Sequence, residues 1–177
     1  MTDKLIQRLL GYSEGKRSVT FKLTGIVIGG SIFLIIIPAA FIGVALFLEA
    51  HWPEILKEAL EFATFGLGAF FLAWAVMVQW NRGKGTPNPV APTQKLVITG
   101  PYKLCRNPIQ LGACLVYFGT GAFLGTLMTG IIAFSLGMIT GSFYHKFIEE
   151  KELEARFGED YEKYREITPF VFPKIFK

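Results

Sequence analysis

A chain of 177 residues in which 51% are hydrophobic, 17 are Phe and only 18% are charged is neither a disordered segment nor an ordinary soluble domain, because its apolar residues gather in long blocks. The formal charge of +4 comes from 18 Lys and Arg against 14 Asp and Glu, and no basic cluster alternates with aromatics as a nucleic-acid surface would. Cys105 and Cys114 stand nine positions apart and the histidines, His51 and His145, are distant from both, so neither a disulfide framework nor a metal site is expected.

From Phe21 to Leu48 run 28 residues whose only charge is Lys22. At about 1.5 Å per residue they exceed a hydrocarbon core of roughly 30 Å. The stretch is predicted to be a transmembrane helix kinked at Pro38, its apolar run being too extended for a signal peptide. Between His51 and Glu61 a short interfacial helix is expected, with Pro53 in its first turn. A second span follows from Phe62 to Trp80, with Trp52 and Trp80 as interface aromatics. The loop from Asn81 to about Lys103 carries Gly83, Gly85, Pro87, Pro89 and Pro92, which exclude a regular element from its first half. Two apolar arms, Ile109 to Phe118 and Leu127 to Phe147, then predict a helical hairpin broken by Gly119, Gly121 and Gly125. The first arm is short for a full span.

The expected fold is therefore all-α: a membrane bundle of about four transmembrane helices, including the hairpin, with a cytoplasmic amphipathic C-terminal tail. Residues 1 to 22 hold five basic and two acidic side chains, 49 to 61 one basic and four acidic, and 81 to 106 five basic and none acidic. The positive-inside rule then places both termini and the 81–106 loop in the cytoplasm. Three regions follow: a cytoplasmic segment (1–20), two transmembrane helices with a short external connection (21–80), and a core of loop, hairpin and tail (81–177).

Two segments hold the polar groups that chemistry needs. Thr99 to Gly112 puts a turn, the Arg106 cation, the Asn107 amide and Pro108 at a membrane entry point. Pro108 suits the first position of a helix and Asn107 its N-cap. A structural account of the same residues is also available: Arg106 snorkels to phosphates, and Gly112 lets helices approach. In Phe147 to Gly158, Glu149 and Glu150 border the stripe of Leu153, with Lys151 and Glu152 turned away. Here the structural alternative is a solvated helix in which Lys146 pairs with one of the two glutamates.

Arg106-Asn107-Pro108 with Leu111-Gly112, 36 intervening residues, then Glu149-Glu150 and Leu153 resemble the isoprenylcysteine carboxyl methyltransferase and phospholipid methyltransferase group of integral-membrane enzymes, in a prokaryotic form. The ending Phe157-Gly158 to Tyr161 and Tyr164 is similar as well. The likeness runs from Gly83 to Pro173, and Gln110 stands where the family has Tyr. It implies a prokaryotic inner-membrane enzyme that binds S-adenosylmethionine near the cytoplasmic surface. Methyl transfer to a lipophilic or membrane-embedded carboxylate, amine or thiol follows from it, with the acceptor entering from the bilayer. Carried over residue by residue, it implies a cofactor site of Gly100, Tyr102, Arg106, Asn107, Pro108, Gln110, Gly112, Glu149, Glu150, Leu153, Tyr161 and Tyr164. Arg106 and Glu150 are the catalytic candidates, and Glu150 or Tyr102 would deprotonate an amine acceptor. Tyr161 and Tyr164 either cover the adenine or anchor the tail at the interface. Two other functions fit parts of the sequence: an NADPH-dependent membrane reductase resembling the carboxyl-terminal region of sterol reductases, and a non-catalytic protein that binds lipid or a partner through the hairpin.

Overall fold

The computed structural model describes residues 18–47 and 57–173, together with Lys4, Ile6, Gln7 and Leu10. Among the described residues every regular element is helical. α1 (Val19–Ser31) passes through a π-helical turn (Ile32–Ile36) into α2 (Ile37–Phe47), and α3 (Lys57–Val78) ends in a second π turn (Gln79–Gly83). After a loop and a 3-10 turn (Gly100–Lys103) come α4 (Pro108–Leu124) and α5 (Leu127–Tyr144). A third π turn (His145–Glu149) leads into α6 (Glu150–Phe157), and α7 (Glu159–Ile167) follows.

Three stretches, Val19–Gly43, Glu58–Gly83 and Leu127–Phe157, are long and apolar enough to cross a membrane. Of the about four spans expected, the remaining one corresponds to α4, whose 17 residues extend about 26 Å, less than a hydrocarbon core of roughly 30 Å. Many large apolar side chains on these helices point outward, among them Val27, Ile35, Phe62, Phe70, Ile139 and Phe143. Residues 51–56 of the expected interfacial helix, Trp52 and Pro53 included, lie outside the described residues, and 57–61 form the first turns of α3.

The chain divides into two units. A packing unit comprises Gly30–Ala73 and Ile109–Gly141; a polar unit comprises the chain up to Gly29, Trp74–Pro108 and the chain from Ser142 onward. The packing unit works by close backbone approach. A Cβ on Gly68 would lie 2.6 Å from the Gly112 carbonyl oxygen, and one on Gly119 2.7 Å from that of Glu61, so α3 and α4 run antiparallel in direct main-chain contact. α5 packs on α4 in the same manner: a Cβ on Gly130 would meet the Phe118 carbonyl at 2.7 Å, and one on Gly137 the Tyr117 ring at 2.7 Å.

These contacts correct the expected hairpin. Gly119 and Gly121, read as breaks, are helical and buried, and α4 continues to Leu124. Their missing side chains serve helix packing, which outweighs the low helix propensity of Gly. The actual turn is Gly125-Thr126, where the Thr126 and Thr129 hydroxyls, 3.2 Å apart, each accept the other residue's main-chain N–H, at 3.3 and 3.2 Å. The two threonines thereby cap the start of α5.

The bend expected at Pro38 takes the form of the π turn just before it. The Ile37 N–H donates to the Ile32 carbonyl, five residues back, and Pro38 has no N–H to offer Phe33. The Phe33 carbonyl accepts the Tyr117 hydroxyl instead. Tyr117 thus closes a core with Ala113 and Ala133, against which Phe33, Ile37, Phe41 and Leu72 pack.

Candidate functional site

The site is built within the polar unit. Its floor begins at the π turn Gln79–Gly83, which Lys84 closes in the left-handed region at φ 58°. The following loop holds itself together: Thr86 N–H and Oγ1 both donate to the Ala91 carbonyl at 2.9 Å, and Asn88 Oδ1 accepts the Val90 N–H at 3.0 Å. It is tied to α1 by Asn88 Nδ2 donating to the Gly25 carbonyl at 2.8 Å and Lys22 Nζ to that of Lys84 at 2.9 Å. Gly100 then turns the chain at φ +63°, with the Val78 and Trp74 side chains against it, so a Cβ there would meet both strain and a crowded face. Pro101 starts the 3-10 turn that delivers Tyr102, Cys105 and Arg106.

Arg106 and Asn107 are held by the tail. The Arg106 N–H donates to the Pro169 carbonyl at 2.8 Å and the Asn107 N–H to that of Phe170 at 3.1 Å. Asn107 Nδ2 adds a bond to the same Phe170 oxygen at 3.0 Å. The Arg106 guanidinium lies 5.5 Å from the centre of the Phe170 ring, within cation–π range. It lines an open cleft of about 440 Å³ together with Arg165, Glu166, Thr168, Phe170 and Phe172.

The acidic half comes from the end of α5. The π turn His145–Glu149 inserts a residue into the helix and resets its phase, so the two adjacent glutamates take different partners. Glu149 pairs with His145, one turn back. Glu150 reaches Arg106, with Oε1 2.9 Å from Nη1 and both side chains only 12% exposed. Neither of those two atoms has an aligned hydrogen bond, nor does Arg106 Nε, and all three are shut off from solvent. A pair this far from water needs further hydrogen bonds to offset its lost hydration. These groups leave donors and an acceptor without hydrogen bonds inside the unit.

Glu152, expected to turn away, is instead buried and takes a 2.7 Å hydrogen bond from Arg156, whose other guanidinium nitrogen donates to the Thr93 carbonyl. Burial of Glu152 follows from that partner one turn on, which neutralises it and fastens α6 to the loop. Gly158, at φ +51°, breaks α6 from α7, and an ion pair between Arg165 and Glu154 braces the two helices.

Tyr161 and Tyr164 do not anchor the tail to lipid. Both are buried within the unit, 6.3 Å apart, and the Tyr164 hydroxyl donates to the Tyr102 carbonyl at 2.6 Å. A backbone acceptor offsets the burial of the Tyr164 hydroxyl. Burial holds the Tyr161 hydroxyl well above the ordinary tyrosine range, the Glu150 and Glu149 charges adding to it and Arg106 opposing. Tyr102 is shifted the same way, first by burial and then by Glu149, so its hydroxyl is a hydrogen-bond donor at neutral pH and not a base. The Cys105 thiol is pushed up to about 11 by burial; it remains uncharged and fills space.

Of the residues singled out in the sequence, the structure brings Tyr102, Arg106, Asn107, Glu149, Glu150, Tyr161 and Tyr164 into the polar unit, along with Gly100, Pro108 and Leu153. Gln110 and Gly112 belong to the packing unit, where Gln110 Nε2 donates to the Met138 carbonyl at 3.1 Å and Gly112 meets Gly68. His145, Glu152, Arg156 and Phe170 are not among the site residues that the sequence suggests. The His145 to Glu149 and Glu152 to Arg156 spacings were visible as i,i+4 pairs, whereas Phe170 acts through its carbonyl and ring and carries no sequence signal. Among the described residues no group of three His, Cys, Asp or Glu could hold a metal ion.

A profile of the phospholipid methyltransferase family matches residues 57–160, more than half of the chain, and takes in α3 as well as the motifs. Over 75 residues the chain is 32% identical to methanethiol S-methyltransferase 2 of Bradyrhizobium diazoefficiens, a stretch that covers 42% of this chain and 27% of that protein. No solved structure matches the chain significantly.

Proposed function

Since the chain belongs to the phospholipid methyltransferase family, we propose that it transfers the methyl group of S-adenosylmethionine to a lipophilic or membrane-embedded acceptor at the cytoplasmic membrane face. It is an integral membrane protein and a methyltransferase. The observation that supports this donor most directly is the Arg106–Glu150 pair. A cation and an anion from distant segments meet at 2.9 Å in a buried position and keep Arg106 Nε and Nη1 and Glu150 Oε1 without hydrogen bonds.

The residues fit that cofactor. Its carboxylate suits Arg106, whose guanidinium makes two-pronged contacts with such groups, and its positive groups suit Glu149 and Glu150. Tyr161 and Tyr164 offer aromatic walls. When bound, the cofactor supplies a methyl group on a positively charged sulfur, open to in-line displacement. The chain's own work is to bind, to align and to exclude water, which together lower such barriers by about 7–11 kcal/mol in favourable cases. A carboxylate or thiolate acceptor needs no protein base. An amine acceptor needs one, and Glu150 is the group placed for it, since Tyr102 keeps its proton. Likeness to a methanethiol methyltransferase supports a sulfur nucleophile among the three acceptor types. The basic 1–22 and 81–106 segments support a cytoplasmic position for the site and both termini.

Calorimetry on detergent-purified protein tests the donor: S-adenosylmethionine should bind and NADPH should not. Binding of NADPH alone would replace the methyltransferase reading with a reductase. Photocrosslinked donor recovered on 49–61 instead of the polar unit would overturn the cytoplasmic placement.

A further inference from the structure

Arg106 is the cation on which the proposed donor site rests; its side chain has Glu150 at ion-pair distance and the Tyr161 hydroxyl beside it, and no aligned hydrogen bond from Nε or Nη1. A long side chain held only by its polar edge keeps rotamer freedom that a ligand must freeze, unless the fold fixes its plane beforehand. Within the polar unit the tail does this. Its Pro169 and Phe170 carbonyls take the main-chain N–H groups of Arg106 and Asn107 at 2.8 and 3.1 Å, Asn107 Nδ2 grips the Phe170 oxygen at 3.0 Å, and the Phe170 ring lies 5.5 Å from the guanidinium carbon. The same phenylalanine and Arg106 line one cleft. Thr168, whose N–H donates to the Tyr164 carbonyl at 3.1 Å, ties this strap back to α7.

From these contacts we infer that Phe170 is a positioning residue for the methyl-donor site: its ring fixes the plane of the Arg106 guanidinium, and the Asn107 amide fixes Phe170. The inference rests on the proposed reading of Arg106 as the holder of the donor's carboxylate. It goes beyond that reading by assigning a role to a residue outside the family match, which ends at 160. Phe170 touches the cation and not the reacting atoms, so it acts on affinity and orientation. Planarity is what the ring supplies: a guanidinium on a ring face keeps its edges free for a carboxylate, whereas Glu150 and the Tyr161 hydroxyl hold the group by its edge alone.

The test uses the whole protein in detergent with S-adenosylmethionine as the probe. Phe170→Leu, which retains apolar bulk and loses the ring face, should weaken binding about five- to tenfold, in keeping with a partly desolvated cation–π contact. Phe170→Tyr should stay within about twofold of the parent. In an Arg106→Lys background, the further loss from Phe170→Leu should shrink to less than about twofold, because the planar partner is already gone. Asn107→Ala, which leaves ring and charge intact, should weaken binding by about threefold. Equal effects of Phe170→Leu in the parent and in the Arg106→Lys background, or unchanged binding in both Phe170→Leu and Asn107→Ala, would overturn the inference. Should Phe170→Leu not fold, Asn107→Ala and Phe170→Tyr still decide it. A separate signature distinguishes this failure from failure of the donor reading: ring-current shifts on the Arg106 side-chain protons should be present in the parent and Phe170→Tyr, and lost in Phe170→Leu. If the parent binds no S-adenosylmethionine, the donor reading fails while those shifts still report whether Phe170 sets Arg106.

Discussion

In the packing unit, contact is made by what side chains lack; in the polar unit, by what they carry. Gly68, Gly112, Gly119, Gly130 and Gly137 let α3, α4 and α5 touch backbone to backbone or backbone to ring, and hydroxyls of that region bond main-chain groups, Tyr117 the Phe33 carbonyl, Thr64 and Thr140 the carbonyls one turn back, and Thr126 the Thr129 N–H. In the other unit, ion pairs join Arg106 to Glu150, Arg156 to Glu152 and Arg165 to Glu154. Apolar solvent removes the hydrophobic drive between helices and leaves close packing as the chief source of association. The buried charges of the polar unit are paired. The difference separates two kinds of charge inside the polar unit as well. Glu152 is fully partnered, while Glu150 has an oxygen without a hydrogen bond.

That last contrast predicts the largest effect. Glu152→Leu leaves Arg156 buried without its carboxylate and should cost about 3 kcal/mol of stability, read as a lowered unfolding midpoint in detergent. Glu150→Gln, two residues away, keeps a polar group beside Arg106 and should lower that midpoint by less, while it weakens donor affinity. A matching fall in stability for both would erase the distinction drawn between them.

Next in size is Arg106→Lys. Hydrogen bonds to a charged group are worth roughly 1.5–3 kcal/mol each, and an ammonium keeps the charge but not the fork. kcat/KM should drop about ten- to a hundredfold with the fold intact. Full activity in the lysine variant would mean that Arg106 serves the membrane and not a carboxylate.

Gly68→Ala probes the other unit. A methyl group 2.6 Å from the Gly112 oxygen must push α3 and α4 apart, at roughly 1–3 kcal/mol of stability. Gly66→Ala, in the same helix but with open space at its Cβ, should instead be neutral or stabilising by up to about 1 kcal/mol. Donor affinity should change in neither. If the two alanines behave alike, close backbone approach is not what holds α3 to α4.

The smallest effect is one of pH. Burial raises the Cys105 thiol from 9.0 to about 11, so the folded state binds its proton more tightly than the unfolded chain. The stability this contributes is complete below pH 9 and is lost as pH rises towards 11; at pH 10 the loss is roughly 1 kcal/mol. Cys105→Ala should flatten the decline in unfolding midpoint across that window, and an unchanged slope would assign the decline to the buried tyrosines.

Much of this was legible in the residues. Long apolar blocks predict about four spans, of which three are long enough to cross a membrane, Pro108 gives the start of α4, and the resemblance joins Arg106 to Glu150, 44 positions apart in sequence and at ion-pair distance in the structure. What could not be read lies in atoms without side-chain identity or in helix phase. Gly119 and Gly121 look like breaks until α3 and α5 are seen against them. A π turn has no residue signature, yet the one at His145–Glu149 decides that neighbouring glutamates part company. The strap over Arg106 is made by the carbonyls of Pro169 and Phe170, which every residue type possesses.

The interleaving of the two units in the chain has a consequence for biosynthesis. All segments of the packing unit have been synthesised once Gly141 is made, whereas the polar unit still lacks Glu149, Glu150 and the strap, which come after Ser142. Translation proceeds from the amino terminus, so Arg106 is made before either its glutamate or its tail. A chain truncated after Gly141 would hold every segment of the packing unit and lack Glu149, Glu150 and the strap.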